Sequence, residues 1–273
     1  MVVVSNPQIM DYKLKGKKVF ISGSTSGIGL ATAEILAKEG AIVIINGRGE
    51  KNVTKAIDYL KTKNKSAKIS GIAANFSIQE EIQRLIKKLP DLDILINNVG
   101  IYNSKSFYEI EDKEWYNQFN VNVMSGVRLS KYFLPKMLKK NWGRIIFISS
   151  ECAYLVPNDL IPYSMTKASI LAVSRGLAQL TKGTNITVNT ILPGSTLTQG
   201  AKTFLNQKAI EFNKSLNEVE DEFFSKSRGS SLIGRFASVS EVANAIAYLS
   251  SPLSSATNGS VLKVDGGSVG GIS

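Results

Sequence analysis

The stretch from Lys18 to Gly40, KVFISGSTSGIGLATAEILAKEG, decides the fold because it combines a strand, a glycine turn and a helix. Residues 19–21 are apolar, and Ile28, Ala31 and Ile35 recur at helical spacing. Glycines let an anion approach the backbone, and the N–H groups at a helix start favour negative charge. The stretch predicts a phosphate-binding turn. Its G-x-x-x-G-x-G spacing differs from the commoner G-x-G-x-x-G, and an ordinary glycine-rich turn is the alternative.

Strand and helix patterns alternate along the rest of the chain. Apolar and β-branched runs predict six further strands, at 41–45, 68–74, 92–96, 144–148, 186–192 and 261–264. Helical spacing predicts helices at about 50–63, 78–88, 112–139, 162–180 and 240–249. We expect Pro135 to bend or end the long helix. The alternation predicts an α/β fold in one domain, residues 1–273: a doubly wound, Rossmann-type sheet of seven parallel strands with helices on both faces.

Polar residues and glycines follow the ends of several predicted strands. In a parallel sheet these ends share one edge, where open α/β sheets bind their ligands. We therefore expect one site to be lined by the glycine turn and by Arg48, Asn75, Asn98, Ser150 and Thr196. The segment 199–231 carries four phenylalanines among polar residues. It predicts a lid over the site, with a surface excursion as the alternative.

Composition excludes several classes of function. The 273 residues include no histidine, which rules out Ser-His-Asp catalysis and histidine metal sites, and we expect no bound metal. The single cysteine, Cys152, excludes an internal disulfide and favours a cytoplasmic location. No apolar run approaches the roughly 18 residues of a membrane span, so we expect no membrane association. The formal net charge of +11 is spread over helix faces, so we expect a solvated surface and no nucleic-acid partner.

The sequence YSMTK at 163–167 places a tyrosine and a lysine four residues apart, on one face of a helix. An ammonium group nearby lowers the pKa of a tyrosine, so Tyr163 can exchange a proton with an alcohol or carbonyl oxygen. Ser150, at the end of the strand RIIFIS, can hydrogen-bond the same oxygen, and Asn122 can hold a water beside Lys167. A surface Tyr/Lys pair, a turn-forming serine and a solvent-facing asparagine are the alternatives.

These elements occur in a fixed order: the glycine turn, NNVG at 97–100, Asn122, Ser150, YSMTK at 163–167 and PG at 193–194. In this order the chain resembles the classical short-chain dehydrogenases/reductases, from residue 14 to residue 267. The resemblance implies that Tyr163 is the general acid/base and that Lys167 lowers its pKa and holds the nicotinamide ribose. It implies that Ser150 orients the substrate carbonyl, and that Asn122 positions a proton-relay water from a local distortion of its helix.

The resemblance also implies a dinucleotide site. Seven turn residues would wrap the cofactor diphosphate: Gly23, Ser24, Thr25, Ser26, Gly27, Ile28 and Gly29. Asn98 would lie near the adenosine ribose, and Thr196 and Thr198 near the nicotinamide amide. Asn75 occupies a position where relatives often have an aspartate beside the adenine. The resemblance further implies a homodimer or homotetramer.

The end of the second strand bears on the choice of cofactor. NAD-linked enzymes usually place an acidic residue there to bind the ribose 2′-OH. Here Gly47 holds that position and Arg48 follows, so no carboxylate repels a 2′-phosphate and a guanidinium can bind it. This pattern predicts NADP(H). Ser26 stands where many NADP-linked relatives have a second basic residue, which keeps NAD(H) as the alternative.

The predicted function follows from these residues. We expect hydride transfer between NADP(H) and a small-molecule carbonyl or secondary alcohol, with Tyr163 moving the proton. The phenylalanines between 204 and 224 favour a 3-oxoacyl compound or another apolar ketone. A catalytically silent NADP(H)-binding sensor or scaffold is the alternative.

Overall fold

Seven parallel strands form the central sheet of the structure, a computed structural model in which residues 11–271 are described. The strands are β1 Lys18–Ile21, β2 Ile42–Gly47, β3 Ile69–Ala73, β4 Ile94–Asn97, β5 Gly143–Ile148, β6 Ile186–Pro193 and β7 Val261–Val264. Their order is β3-β2-β1-β4-β5-β6-β7, and every neighbouring pair is parallel. Successive strands are therefore added on one side of β1 up to β3 and on its other side from β4 onward. Open α/β sheets form a ligand crevice at such a switch point, here between β1 and β4.

Helices cover both faces of this sheet. The α-helices of the described chain are α1 Gly27–Lys38, α2 Glu50–Lys63, α3 Gln79–Lys88, α4 Asp112–Phe119, α5 Ser125–Lys140, α6 Cys152–Leu155, α7 Ile161–Gln179, α8 Gln199–Phe212, α9 Leu216–Glu222 and α10 Val239–Ser250. On one face α1 and α10 pack on the sheet through Leu36 and Ile246. On the other face α5 and α7 pack through Phe133 and Ile170. The predicted doubly wound sheet with helices on both faces is confirmed.

The central strands are apolar on both faces. Val19 and Ile21 of β1 are fully buried on the α1 side, and Phe20 between them is fully buried on the α5 side. Successive side chains of a strand point to opposite faces, so a strand covered on both faces needs a continuous apolar run. The first polar or glycine residue after such a run therefore lies at the edge of the sheet.

The helix predicted at 112–139 is interrupted in its middle. α4 ends at Phe119, a π-helical turn spans Asn120–Met124, and α5 then continues to Lys140. The prediction of one continuous helix is therefore wrong at this point. The Asn122 side chain hydrogen-bonds the backbone of Ile101, outside the helix, and this contact accompanies the local distortion.

Pro135 lies inside α5 and does not end it. A proline in a helix removes one backbone hydrogen bond, which the packing of the helix can offset. Phe133, Leu134 and Met137, on both sides of the proline, are buried against the sheet. This apolar contact holds α5 in place up to Asn141, which adopts a left-handed conformation with φ of 52°.

Residues 199–231 form secondary structure that the sequence patterns do not predict. They contain α8, α9 and a second π-helical turn, Phe223–Ser227. These elements pack on an apolar cluster of their own, which includes Leu205, Val219, Phe224 and Phe236. We call this part of the chain the 199–231 segment.

The 199–231 segment leaves the sheet edge and returns to it at one point. Leu197 N–H donates to Ala237 O at 2.8 Å, and Ala237 N–H donates to Ser195 O at 2.9 Å. A parallel bridge pairs Thr196 with Ala237. The segment is therefore closed at its base, directly after β6.

Candidate active site

The glycine turn after β1 needs glycine at three of its positions, for backbone conformation or for space. Gly23 and Gly27 have φ values of 61° and 57°, a left-handed region that favours glycine. A Cβ atom on Gly29 would lie 2.6 Å from Asn98 Nδ2 and 2.8 Å from Gly23 O. Asn98 uses the same Nδ2 to donate to the carbonyls of Ser22 and Gly23, at 3.0 and 2.8 Å. The turn is thus held against the end of β4.

A second asparagine, which the sequence analysis did not identify, supports this turn from below. Asn46, buried at the end of β2, accepts the Gly23 N–H at 3.1 Å and donates to Ile72 O at 3.0 Å. Ser24 is buried beside it, since its N–H donates to Asn46 O and its hydroxyl donates to Ile21 O. The Ser24 side chain therefore holds the turn and does not face the cavity. A polar side chain in an otherwise apolar strand is the signal for Asn46.

The start of α1 is open to an anion. Ser26 is the N-cap residue, but its side chain makes no capping hydrogen bond, and the first turn contains no acidic residue. The N–H groups of a helix start lack internal acceptors and attract phosphate oxygens. Together with the close approach that Gly23 and Gly27 allow, this turn fits the diphosphate of a dinucleotide.

The end of β2 offers a positive charge and no negative one. Arg48 is exposed, and within residues 11–271 no hydrogen bond or ion pair holds its side chain. A Cβ atom on Gly47 would lie 2.5 Å from Thr25 Cγ2, so an acidic residue at 47 would displace Thr25. Asn75, at the end of β3, uses its side-chain oxygen to accept the Ser77 N–H at 3.0 Å. This corner therefore suits a ribose that carries a 2′-phosphate.

A cavity of about 600 Å³ lies between the glycine turn, the strand ends and the 199–231 segment. Nine of the residues predicted from the sequence line it: Ser26, Ile28, Gly29, Asn98, Ser150, Tyr163, Lys167, Thr196 and Thr198. Seven others do not border this cavity: Gly23, Ser24, Thr25, Gly27, Arg48, Asn75 and Asn122. Four of the seven belong to the glycine turn itself. Arg48 and Asn75 follow β2 and β3, and Asn122 lies in the π-helical turn.

Tyr163 and Lys167 meet in this cavity. Lys167 Nζ lies 5.4 Å from the centre of the Tyr163 ring and donates to Ile148 O at 2.9 Å. Burial raises the pKa of Tyr163 above its ordinary value, and interaction with the Ser150 hydroxyl acts in the opposite direction. Burial lowers the pKa of Lys167 to about 8. The expected lowering of the Tyr163 pKa by Lys167 is therefore not seen: the net shift is upward, and the group that opposes it is the Ser150 hydroxyl.

Ser150 and its neighbours fix the wall opposite α7. Ser150 Oγ accepts the Cys152 N–H at 3.2 Å, which orients the hydroxyl at the end of β5. The adjacent Ser149 is buried and donates to Lys167 O at 2.8 Å, which ties β5 to α7. Burial raises the pKa of the Cys152 thiol, so this cysteine favours the uncharged form.

Asn122 lies in the π-helical turn behind Lys167. Its Nδ2 donates to Ile101 O at 2.9 Å and to Thr166 Oγ1 at 3.0 Å, and Thr166 Oγ1 donates to Tyr163 O at 2.7 Å. A Cβ atom on Gly100 would lie 3.2 Å from Lys167 Nζ and 3.8 Å from Asn122 Oδ1. The structure therefore brings Asn122 against Thr166 of the YSMTK motif and near Lys167.

The loop after β6 carries the two predicted threonines to the cavity. Thr196 Oγ1 donates to Gly194 O at 2.9 Å. Thr198 is the N-cap of α8, and its Oγ1 accepts the Ala201 N–H at 3.2 Å. Both hydroxyl groups are thus oriented by local backbone contacts, with the remaining side-chain surface at the cavity.

A buried ion pair that the sequence analysis missed also borders the cavity. Glu151 Oε1 accepts hydrogen bonds from Ser195 Oγ and from Arg228 Nε, each at 2.9 Å. The Glu151 and Arg228 side chains are only 3% and 14% exposed. The two residues are 77 positions apart, and no motif connects them in the sequence. Neither residue belongs to a periodic pattern that could have revealed the contact.

Two classes of feature are absent from the described range. The helices of residues 11–271 fall short of the length and apolar character that a membrane span requires. Within the same residues, His, Cys, Asp and Glu side chains do not gather in threes around a point where a metal ion could be held.

Comparison with known proteins places this geometry in a family. The family description "short chain dehydrogenase" matches residues 17–209. The chain is 46% identical over 260 residues to the uncharacterized oxidoreductase YvaG of Bacillus subtilis, covering 95% of this chain and 98% of the relative. It is 32% identical over 262 residues to the 3-oxoacyl-(acyl-carrier-protein) reductase FabG of Aquifex aeolicus, covering 94% of this chain and 99% of the relative.

A solved structure matches over nearly the whole length. L-sorbose reductase from Gluconobacter frateurii, complexed with NADPH and L-sorbose, superposes with a TM-score of 0.90 at 30% identity, covering 96% of this chain and 100% of that one. The shared sheet, the glycine turn and the residues gathered at the strand ends lead to one conclusion. The protein belongs to the short-chain dehydrogenase family of oxidoreductases.

Proposed function

We propose that the protein is an NADP(H)-dependent oxidoreductase that interconverts a carbonyl and a secondary alcohol. The observation that carries this proposal is the meeting of Ser150, Tyr163 and Lys167 in one cavity, next to the open start of α1. When bound, NADP(H) supplies or accepts the hydride. The protein side chains then bind the substrate oxygen and move its proton.

Tyr163 is the proposed proton donor in the reductive direction. Burial raises the pKa of Tyr163, so the phenol stays protonated near neutral pH and has a proton to give to the substrate oxygen. Ser150 donates a hydrogen bond to the same oxygen and orients the carbonyl. In the oxidative direction the same steps run in reverse: Tyr163 accepts the proton of the alcohol, and Ser150 keeps its hydrogen bond to the substrate oxygen.

Lys167 and Asn122 have supporting roles in the proposal. Lys167 lies beside the Tyr163 ring and stabilises the phenolate that forms when the proton leaves. Asn122 Oδ1 and Lys167 Nζ lie near the same point beside Gly100, where a water can connect the lysine to solvent. Lys167 also contacts the nicotinamide ribose in this scheme, and Thr196 and Thr198 contact the carboxamide.

The proposed preference for NADP(H) depends on the end of β2. Among the described residues the Arg48 guanidinium has no partner, and the acidic residue that NAD-linked enzymes use at position 47 would displace Thr25. A forked, charge-assisted contact between Arg48 and the 2′-phosphate would favour NADP(H). The similarity to L-sorbose reductase, which was solved with NADPH, supports this choice.

The remaining parts of the proposal concern substrate and surroundings. Phe204 and Phe223 of the 199–231 segment border the cavity, so we propose that this segment acts as a lid over a ketone substrate. A 3-oxoacyl compound is one candidate, supported by the resemblance to FabG of Aquifex aeolicus. We also propose a cytoplasmic homodimer or homotetramer, on the basis of the family.

The test is a screen of carbonyl substrates in which NADPH absorbance measures turnover. It compares the wild type with two tyrosine variants. Tyr163→Phe should lower kcat/KM by roughly 10²–10⁴-fold, because it removes the proton donor, while NADPH binding persists. Tyr108→Phe is the control, since Tyr108 is 94% exposed and lies outside the cavity. NADPH binding without turnover of any carbonyl in the screen would favour a silent sensor instead.

A further inference from the structure

A pair of oppositely charged side chains, Glu151 and Arg228, forms part of the cavity wall. Glu151 directly follows Ser150 in the chain, and Arg228 reaches it from the end of the 199–231 segment. Both residues border the same cavity as Tyr163. Ser150 lines this cavity too, so the pair shares it with the serine that is proposed to bind the substrate carbonyl.

Three contacts fix the Arg228 guanidinium. Nε donates to Glu151 Oε1 at 2.9 Å, Nη1 donates to Ser227 O at 2.8 Å, and the guanidinium carbon lies 5.6 Å from the centre of the Phe223 ring. The group is therefore oriented before any ligand arrives. Such preorganisation reduces the entropy that is lost when a ligand is bound.

The contacts leave hydrogen-bonding capacity unused on both partners. Nη2 of Arg228 has no acceptor among the described residues, and it is not among the polar atoms shielded from solvent. Glu151 Oε2 is buried and has no donor. An arginine usually binds a carboxylate with two parallel hydrogen bonds, whereas this pair uses a single Nε contact. Because Arg228 borders the cavity, its Nη2, which is unpaired among the described residues, can donate to an acceptor there.

The charges of the pair determine which acceptor fits. The Glu151 carboxylate balances the charge of Arg228. An anionic substrate group at the guanidinium would be repelled by this carboxylate. An aliphatic group would cover Nη2 and leave it without an acceptor, which is unfavourable for a buried donor. A neutral hydroxyl group avoids both penalties, because it accepts from Nη2 without adding charge.

We propose that Glu151 and Arg228 form a polar subsite that selects ketones carrying a hydroxyl group close to the carbonyl. Arg228 Nη2 binds the hydroxyl oxygen, and Glu151 holds the guanidinium in place as a positioning residue. The inference rests on the proposed function, since it assigns a substrate class to the same cavity. Similarity to L-sorbose reductase, whose complex contains a polyhydroxylated ketone, is in keeping with it.

The experiment compares matched substrates with NADPH as the reductant. L-sorbose is paired with 2-hexanone, and 2-hydroxycyclohexanone with cyclohexanone, and an acetoacetyl thioester is included as a third class. We expect the wild-type protein to show at least about a tenfold higher kcat/KM for the hydroxylated member of a pair, as for one charge-assisted hydrogen bond. Equal or better reduction of the plain ketones or the thioester would overturn the subsite while leaving the proposed function intact. Failure to reduce any of the carbonyls would count against both.

Variants then assign the selectivity to Arg228. Arg228→Met should lower kcat/KM for the hydroxylated ketone by about 10- to 100-fold, mainly through KM, and lower it much less for the plain ketone. Arg228→Lys should restore part of the preference, because it keeps a charged donor. Arg235→Met is the matched control, since Arg235 pairs with Glu241 on the surface and does not border the cavity.

A fourth variant guards against misfolding. Arg228→Met leaves Glu151 buried without its cation, so Glu151→Gln with Arg228→Met removes both charges. We expect the double variant to bind NADPH as the wild type does and to have lost the preference for the hydroxyl group. An equal loss of activity on both members of a substrate pair, in every variant that binds NADPH, would show a merely structural ion pair and overturn the proposal.

Discussion

Asn122 binds the backbone of Ile101 with both ends of its carboxamide. Oδ1 accepts the Ile101 N–H at 2.8 Å, and Nδ2 donates to the Ile101 carbonyl at 2.9 Å. This pair of bonds joins the π-helical turn at 120–124 to the loop that follows β4. The irregular helix therefore serves to bring a polar side chain to a backbone segment beside Lys167.

Replacing Asn122 with leucine should weaken both the fold and catalysis. Asn122→Leu keeps a similar volume but leaves the Ile101 N–H and carbonyl unpaired, which should lower the free energy of unfolding by about 1–3 kcal/mol. Denaturant unfolding and kcat/KM would measure the two effects. Asn117→Ala, an exposed change in α4, is the control. A variant as stable and active as the wild type would contradict the role given to this contact.

The buried Lys167 should make stability depend on pH in a predictable direction. Burial lowers the pKa of Lys167 from 10.5 to about 8, so the folded state disfavours the charged form. Below pH 8 Lys167 is protonated in the folded and in the unfolded state, so the whole cost of burying its charge lowers the free energy of unfolding. Between pH 8 and 10.5 the unfolded state binds more protons, so this contribution to stability improves as the pH rises.

The Lys167→Met variant measures this contribution. Between pH 8 and 10.5 the wild type should gain stability that the variant does not gain. The free energy of unfolding of the variant minus that of the wild type should therefore fall by on the order of 3 kcal/mol across this range. Lys61→Met, an exposed change on α2, supplies the baseline for removing one positive charge. A gap between variant and wild type that stays constant with pH would show that the lysine is not buried as described.

Gly29 tests the packing of the glycine turn. A Cβ atom there would lie 2.6 Å from Asn98 Nδ2 and 2.8 Å from Gly23 O, so Gly29→Ala should lower the free energy of unfolding by about 1–3 kcal/mol and weaken NADPH binding. Gly176→Ala is the matched control, because a Cβ atom on this exposed glycine of α7 meets nothing within 4 Å. The control should be stabilising by up to about 1 kcal/mol. The same sign for both changes would refute the packing argument.

Arg48 tests the cofactor preference. Arg48→Ala should raise KM for NADPH by about 10- to 100-fold, because it removes the charge-assisted contact to the 2′-phosphate, and should leave KM for NADH nearly constant. Initial rates with each cofactor would measure the ratio. Arg84→Ala, an exposed change on α3, is the control. An unchanged KM for NADPH, or tighter use of NADH by the wild type, would argue for NAD(H).

Local sequence patterns predict most of the fold. The apolar runs place all seven strands within a few residues of their observed bounds, and the helix predicted at 50–63 is α2 as observed. These elements are buried on both faces or amphipathic, so their periodicity follows directly from what they contact. Tyr163, Lys167 and Ser150 were predictable for a similar reason, since their spacing on α7 and at the end of β5 determines where they lie.

The features that escaped prediction depend on contacts between distant residues. The helices of the 199–231 segment surround a small apolar cluster, and their residues carry no clear helical period. Helical spacing predicted a continuous helix where the π-helical turn at 120–124 lies, and only the family resemblance implied a local distortion at Asn122. Glu151 meets Arg228 across 77 positions. The raised pKa of Tyr163 likewise reflects burial, a quantity of the folded cavity that residue spacing does not contain.

The closed base of the 199–231 segment has a consequence for how substrate range can change. Because Leu197 and Ser195 bond to Ala237, the two ends of the segment stay joined whatever its length. We therefore expect an insertion, a deletion or a graft from a homologue at this place to leave the strand register unchanged and to alter only the part of the cavity wall that the segment forms. Under the proposed function, replacing this one segment would change the substrate range without changing Ser150, Tyr163 or Lys167.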